Sequence, residues 1–160
     1  MRVLRIIEGT SVDGPGLRTS VYLAGCSHHC PECHNPQSWD PQGGTEMSVD
    51  DIMRVIDNNE APVTLSGGDP LQHPGTIELV RRIRQGGYNL WCYTGYSWEE
   101  ITTSPTLLEV ARLCDVVVEG RFVVAERDTT LRFRGSRNQR IIDVARSLAS
   151  KTPIVLDLNH

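Results

Sequence analysis

No run in this sequence approaches the roughly 20 apolar residues that a helix needs to cross a bilayer. Its start, Met-Arg-Val-Leu-Arg-Ile-Ile, is too short and too charged for a secretory signal, so the expected location is the cytoplasm. Basic charge is not in excess: 16 Lys and Arg stand against 20 Asp and Glu, a net charge of −4. That balance argues against a general nucleic-acid binder. There is no internal repeat and no low-complexity tract. No Ser–His–Asp triad, phosphate-binding GxxxxGK(S/T) or dinucleotide-binding GxGxxG motif occurs, and the acidic residues form no recognisable acid/base pair. One further absence matters more. Three cysteines crowd together without a fourth beside them.

What is present fits a soluble α/β protein. With 160 residues the chain suits one domain with one core, residues 1–160. Its composition, 39% hydrophobic and 22% charged, is ordinary for a globular protein. Val3–Ile7 and Thr19–Leu23 read as strands parted by the turn-forming Asp13-Gly14-Pro15-Gly16. Ser48, with Asp51 three residues on, opens a helix to about Asn58. Val63–Leu65 reads as a strand, and a helix follows from about Gly75 to Arg84, stopped by Gly86-Gly87. Leu90–Thr94 is the next strand, and Ser97-x-x-Glu100 is a capping box. A helix around Leu107–Ala111 precedes the strand Val116–Val118, whose lack of alternation predicts cover on both faces. Ile141-Ile142 and Ile154–Leu158 read as late strands around a helix at Val144–Ala149. Such alternation predicts a mainly parallel sheet. A complete (β/α)₈ barrel takes about 250 residues, so the chain has room for only a partial, open barrel.

The chain has five cysteines. Cys92 and Cys114 stand alone in or beside apolar strands and read as core residues. The others form Cys26-Ser27-His28-His29-Cys30-Pro31-Glu32-Cys33, a C-x₃-C-x₂-C motif. Disulfides are disfavoured in the cytoplasm, so clustered thiols there suggest metal or redox chemistry. An iron–sulfur cubane normally takes four cysteines, one per iron. Three would leave one iron open to a substrate or cofactor, as catalytic metal sites leave a position open. Spacing alone also allows zinc, with His28, His29 or His34 completing a Cys₃His site.

The context of the motif carries a resemblance. Gly14-Pro15-Gly16-x-Arg18 precedes the cysteines, Gly25 abuts the first, and Cys33-His34-Asn35 closes the loop. From Gly14 to Asn35 the chain resembles the glycyl-radical-enzyme activating family of radical S-adenosylmethionine (SAM) enzymes. Ser66-Gly67-Gly68-Asp69-Pro70-Leu71, Tyr93-Thr94-Gly95-Tyr96 and Arg134-Gly135-Ser136-x-Asn138-Gln139 are similar to its branch that activates anaerobic ribonucleoside-triphosphate reductase. The likeness spans roughly residues 8 to 143. Tyr22 departs from the Phe usual in the signature.

The resemblance implies a radical SAM fold and a 4Fe–4S cluster on Cys26, Cys30 and Cys33. The reduced cluster would donate one electron to SAM, and the 5′-deoxyadenosyl radical would take a hydrogen from a glycine of the reductase. Gly67, Gly68 and Asp69 would hold the methionine end of SAM, with Asp69 accepting from its ammonium group. His34 would lie beside the adenine, and Thr94 or Gly95 would meet the ribose or methionine. No catalytic residue is implied beyond cluster and cofactor. The expected electron donor is a flavodoxin or ferredoxin. Arg18 could support the cysteine loop, face a partner or form an ordinary salt bridge. Arg132, Arg134, Arg137 and Arg140 could be a docking surface or a solvated edge. Two rival readings stay open: a radical SAM enzyme on a small molecule, such as the deazaguanine-forming type, and a non-enzymatic zinc-binding module.

Overall fold

The computed structural model describes residues 1–31, 33 and 36–158. Strands β1 (Arg2–Thr10) and β2 (Arg18–Leu23) form an antiparallel hairpin. The short β3 (Thr45–Glu46) pairs with the outer side of β1. Next come α1 (Val49–Asn59), β4 (Val63–Gly67), α2 (Thr76–Gln85) and β5 (Leu90–Tyr93). The chain continues through α3 (Trp98–Thr102), α4 (Pro105–Ala111), β6 (Val116–Glu119), β7 (Arg140–Asp143) and α5 (Val144–Ser150). The seven strands lie in the order β3-β1-β2-β4-β5-β6-β7.

The α/β expectation holds. β2, β4, β5 and β6 run parallel at the centre of the sheet, and β1, β3 and β7 add antiparallel flanks. A tight turn can join only antiparallel neighbours, whereas parallel neighbours need a crossover, and here helices supply it. The sheet stays open, with β3 and β7 at its edges. Ile154–Leu158 departs from the expected strand. It makes only an isolated bridge, Ile142 to Val155, plus the flanking bonds Asp143 N to Ile154 O and Leu156 N to Ile141 O. Pro153, just before it, has no N–H to extend the ladder.

Alternation along the strands sorts the two faces. Val21, Leu23, Val63, Leu65, Leu90, Cys92, Val117 and Ile142 point into one core beneath α1 to α4. Ile52 and Ile56 of α1 and Leu79 and Ile83 of α2 fill it and are wholly buried, each contributing about 1.5–3 kcal/mol by burial. The expected caps are present: Ser48 with Asp51 and Ser97 with Glu100 form reciprocal capping boxes, each worth about 1 kcal/mol. The opposite face carries Trp91, Val116, Val118 and Ile141, covered by Phe133, Leu156 and Leu158 rather than by helices. Val116–Val118 is therefore buried on both faces, as its composition predicts. Cys92 and Cys114 are buried core residues. Among the described residues no helix is long and apolar enough to cross a membrane.

Candidate functional site: a three-cysteine loop at the strand ends

The cysteine loop leaves the C-terminal end of β2, where ligands gather in parallel α/β sheets. Backbone bonds hold its start: Gly25 N donates to Ser38 O at 2.7 Å and Cys26 N to Trp39 O at 3.2 Å. Further bonds tie it to the turn after β4, with Gly68 N to Leu23 O at 2.7 Å and Asp69 N to Gly25 O at 2.8 Å. Gly67 and Gly68 make this approach possible. A Cβ on Gly67, which has φ +104°, would lie 2.4 Å from Leu23 O, and one on Gly68 would lie 2.4 Å from Gly25 O. The close approach that these glycines permit is thus to the cysteine loop itself.

Cys26, Cys30 and Cys33 form no disulfide and are half-buried. Burial, followed by the charges of Asp69, Cys30 and Cys33, pushes the Cys26 thiol up, against a hydrogen bond from the His28 backbone. Such thiols must lose protons to bind a metal, and a bound cation compensates the crowding of their charges. Among the described residues no three His, Cys, Asp or Glu side chains stand close enough to hold a single ion. A cubane puts each thiolate on its own iron, which spaces the ligands more widely than one zinc would. His28 and His29 have partners elsewhere. His29 stacks on Trp39, with centroids 4.4 Å apart, and His28 Nε2 lies 2.7 Å from Asp69 Oδ2. His34 lies outside the described residues.

Asp69 is the centre of a buried polar knot and is only 1% exposed. Its Oδ1 accepts from Leu71 N at 3.0 Å, its Oδ2 from Gly95 N at 2.9 Å, and Thr94 Oγ1 lies 2.9 Å from both oxygens. The sequence-expected site residues of β4 and β5 are thereby brought together, with the cysteine loop joined to them through His28.

Asp13, Cys33, Gly67, Tyr93, Phe133 and Arg134 help line a cavity of about 610 Å³ on the helix-free face of the sheet. Among the described residues, the buried Tyr93 hydroxyl and Arg134 Nε there have no hydrogen-bond partner. These orphan groups, beside two aromatic rings and Cys33, suit a ligand that is part aromatic and part anionic. Tyr93 and Arg134 went unmarked as cavity residues because a cavity joins loops that are distant in sequence.

Arg18 takes none of its expected roles. It is 2% exposed and donates to Thr64 Oγ1 at 2.9 Å, Val63 O at 2.9 Å, Asn89 Oδ1 at 2.8 Å and Pro15 O at 3.1 Å, all uncharged oxygens. Burial brings its pKa down to about 10, so it stays charged at neutral pH. The Tyr22 hydroxyl, which a Phe would lack, donates to Asp13 and pins the same turn. Three of the four arginines near the C-terminus have partners within the chain. Arg140 pairs with Glu99 and the buried Glu119, Arg134 bonds the carbonyls of Arg137 and Gln139, and Arg132 bonds that of Leu158.

A family model described as a 4Fe-4S single cluster domain matches residues 12–142, which places the chain among single-cluster iron–sulfur proteins. The Escherichia coli K12 anaerobic ribonucleoside-triphosphate reductase-activating protein is 36% identical over 139 residues, 80% of this chain and 89% of the relative. The protein of the same name from Vibrio cholerae is 33% identical over 142 residues, 81% and 90% of the two chains. That from Haemophilus influenzae is 31% identical over 155 residues, 88% and 97%. The chain belongs to the family of anaerobic ribonucleoside-triphosphate reductase-activating proteins.

Proposed function

We propose that this chain activates an anaerobic ribonucleoside-triphosphate reductase as a radical SAM enzyme. The observation that carries the reading is the seating of Cys26, Cys30 and Cys33 on one loop at the C-terminal ends of β2 and β4, with the other two cysteines buried in the core. Three thiolates leave one iron of a cubane without a protein ligand. Cys26, Cys30 and Cys33 hold the cluster, and the Gly67-Gly68-Asp69 turn with Thr94 and Gly95 shapes the cradle for the methionine end of SAM. His34 completes the cofactor set beside the adenine. The cavity lined by Tyr93 and Arg134 has room for the remainder and, among the described residues, unpartnered polar atoms to meet it.

When bound, these groups supply one electron for reductive cleavage of SAM and a carbon radical that takes the hydrogen of a glycine in the reductase. The protein's part is to position and shield them. Residues 1–160 act as one radical SAM domain in a partial barrel whose open side admits the partner's glycine loop. The electron comes from a flavodoxin or ferredoxin, and the setting is the cytoplasm.

The test is anaerobic mixing of the reconstituted protein with the reductase, SAM and a reductant. A doublet glycyl-radical signal on the reductase is expected. Zinc at one per chain in a colourless protein, with no radical formed, overturns the reading. Turnover of SAM with a small molecule and no protein partner points to the small-molecule rival.

A further inference from the structure

The turns that follow the parallel strands are hydrogen-bonded in series. His28, from the cysteine loop, bonds Asp69, from the turn after β4. Asp69 takes Thr94 and Gly95, from the turn after β5. Gly95 O in turn accepts from Arg121, beyond β6, at 3.3 Å. Asp69 is the only carboxylate in the series, and its surroundings decide what it can do. A carboxylate offers about four lone-pair positions. Leu71 N, Thr94 Oγ1, Gly95 N and His28 Nε2 supply four donors from the chain itself. With its side chain 1% exposed, Asp69 presents almost no surface to a ligand.

His28 is held as firmly. Its side chain is 5% exposed and meets the Tyr96 ring edge-on, with centroids 4.6 Å apart. Gly95 is the floor beneath it, since a Cβ there would lie 2.5 Å from His28 Cδ2. His28 also stands midway between Cys26 and Cys30. Fixing it fixes the middle of the loop whose ends carry two of the three thiols.

We infer that His28 and Asp69 form a clasp that sets the cysteine loop over the cofactor cradle, and that Asp69 serves SAM through this clasp rather than by touching it. His28 is thus a positioning residue. The inference rests on the radical SAM reading above. It moves the polar contacts to the methionine end onto the strand-end backbone and away from the Asp69 carboxylate.

The test uses the full chain, anaerobically reconstituted, with His28→Ala, His28→Asn, His28→Gln, Asp69→Asn and the double variant His28→Ala/Asp69→Asn. Iron and sulfide per chain report cluster assembly. Titration with SAM, read from the change it causes in the electron paramagnetic resonance of the reduced cluster, reports cofactor affinity. His28→Ala is expected to assemble a cluster and to bind SAM about tenfold more weakly, or worse, as a lost bond to a buried charge implies. His28→Gln, whose amide can still donate to Asp69, should return to within about threefold of the parent. Asparagine is too short to reach and should resemble alanine, so it replaces alanine in the comparison if His28→Ala does not fold. The double variant should be little weaker than the worse single one, because both break the same contact.

Parent-like SAM affinity in His28→Ala or His28→Asn overturns the clasp. So does a glutamine variant as weak as alanine, or losses that multiply in the double variant. Nitrogen hyperfine coupling to the cluster that disappears with His28 would instead make the histidine a ligand, which also overturns it. Failure of the parent itself to bind a cluster or SAM is a different result and refutes the radical SAM reading.

Discussion

Replacing Arg18 by methionine tests whether a buried guanidinium ties the start of β2 to the starts of β4 and β5. Arg18 makes four hydrogen bonds, and none of the acceptors is a carboxylate. Methionine fills similar volume but donates nothing. Thr64 keeps a bond through its own hydroxyl, which donates to Asp13 O at 2.9 Å. The Val63 carbonyl and the Asn89 amide oxygen lose their charged donor, at about 1–3 kcal/mol for each group left unsatisfied. Relief of the desolvation cost of a buried charge offsets part of this. A net loss of about 3 kcal/mol is expected, a large share of the roughly 5–15 kcal/mol that holds a domain folded. For a chain of this size it corresponds to a drop of about 6–12 °C in Tm. Arg18→Lys keeps the charge but not the fork, and it should lose nearly as much. The assay is urea and thermal unfolding of the metal-free chain under reducing conditions. Stability of Arg18→Met within about 0.5 kcal/mol of the parent, the range of an ordinary surface change, would refute the reasoning. So would a harmless lysine, since only the hydrogen-bond geometry distinguishes it.

Three further outcomes follow from the same structure. Cys30→Ala should abolish SAM cleavage and the visible iron–sulfur colour, and retained cleavage would defeat the three-cysteine assignment. Gly68→Ala pushes a methyl to 2.4 Å from Gly25 O, so it should cost about 1–3 kcal/mol and lower iron per chain, both measurable after reconstitution. The Glu100 carboxyl is held from its ordinary 4.5 down to about 2, first by Arg121 and then by the Ser97 backbone. Its folded pKa is depressed, so its stabilisation is present above pH 4.5 and fades as pH falls towards 2. Both partners are more than a third exposed, so the effect should stay below about 1 kcal/mol and shrink with salt. Acid titration of stability in Glu100→Gln against the parent measures it.

Local signals were the most legible part of this protein. The Ser48 and Ser97 caps lie within three residues of their partners, and the alternation of apolar residues marks which strands are buried. The order of strands and helices could be read because α1 and α2 are long enough to show their own period and the Ser97–Glu100 box marks the start of α3. Ile154–Leu158 misleads because its composition is that of a strand, while its backbone finds only a single bridge on the far side of β7. Arg18 misleads for another reason. A cation beside a turn invites a carboxylate or a partner, yet its acceptors are neutral oxygens up to 71 residues away. His28 was visible only as one of three histidines near the thiols. Its partner, Asp69, lies 41 residues further on.

The sequence by itself determined the chemistry available: three thiols on one short loop, a missing fourth, and glycine-rich turns where strands end. Those features are local, set by residue type and spacing. Only the tertiary structure decided how they are used. It put Gly67 and Gly68 against the backbone of the cysteine loop, buried Asp69 among four donors, and turned His28 onto it. Each contact joins segments far apart in the chain, and strand register rather than neighbouring residues sets their distance. Burial leaves the Asp69 carboxylate almost no surface, and its contact with His28 joins the turn after β4 to the cysteine loop.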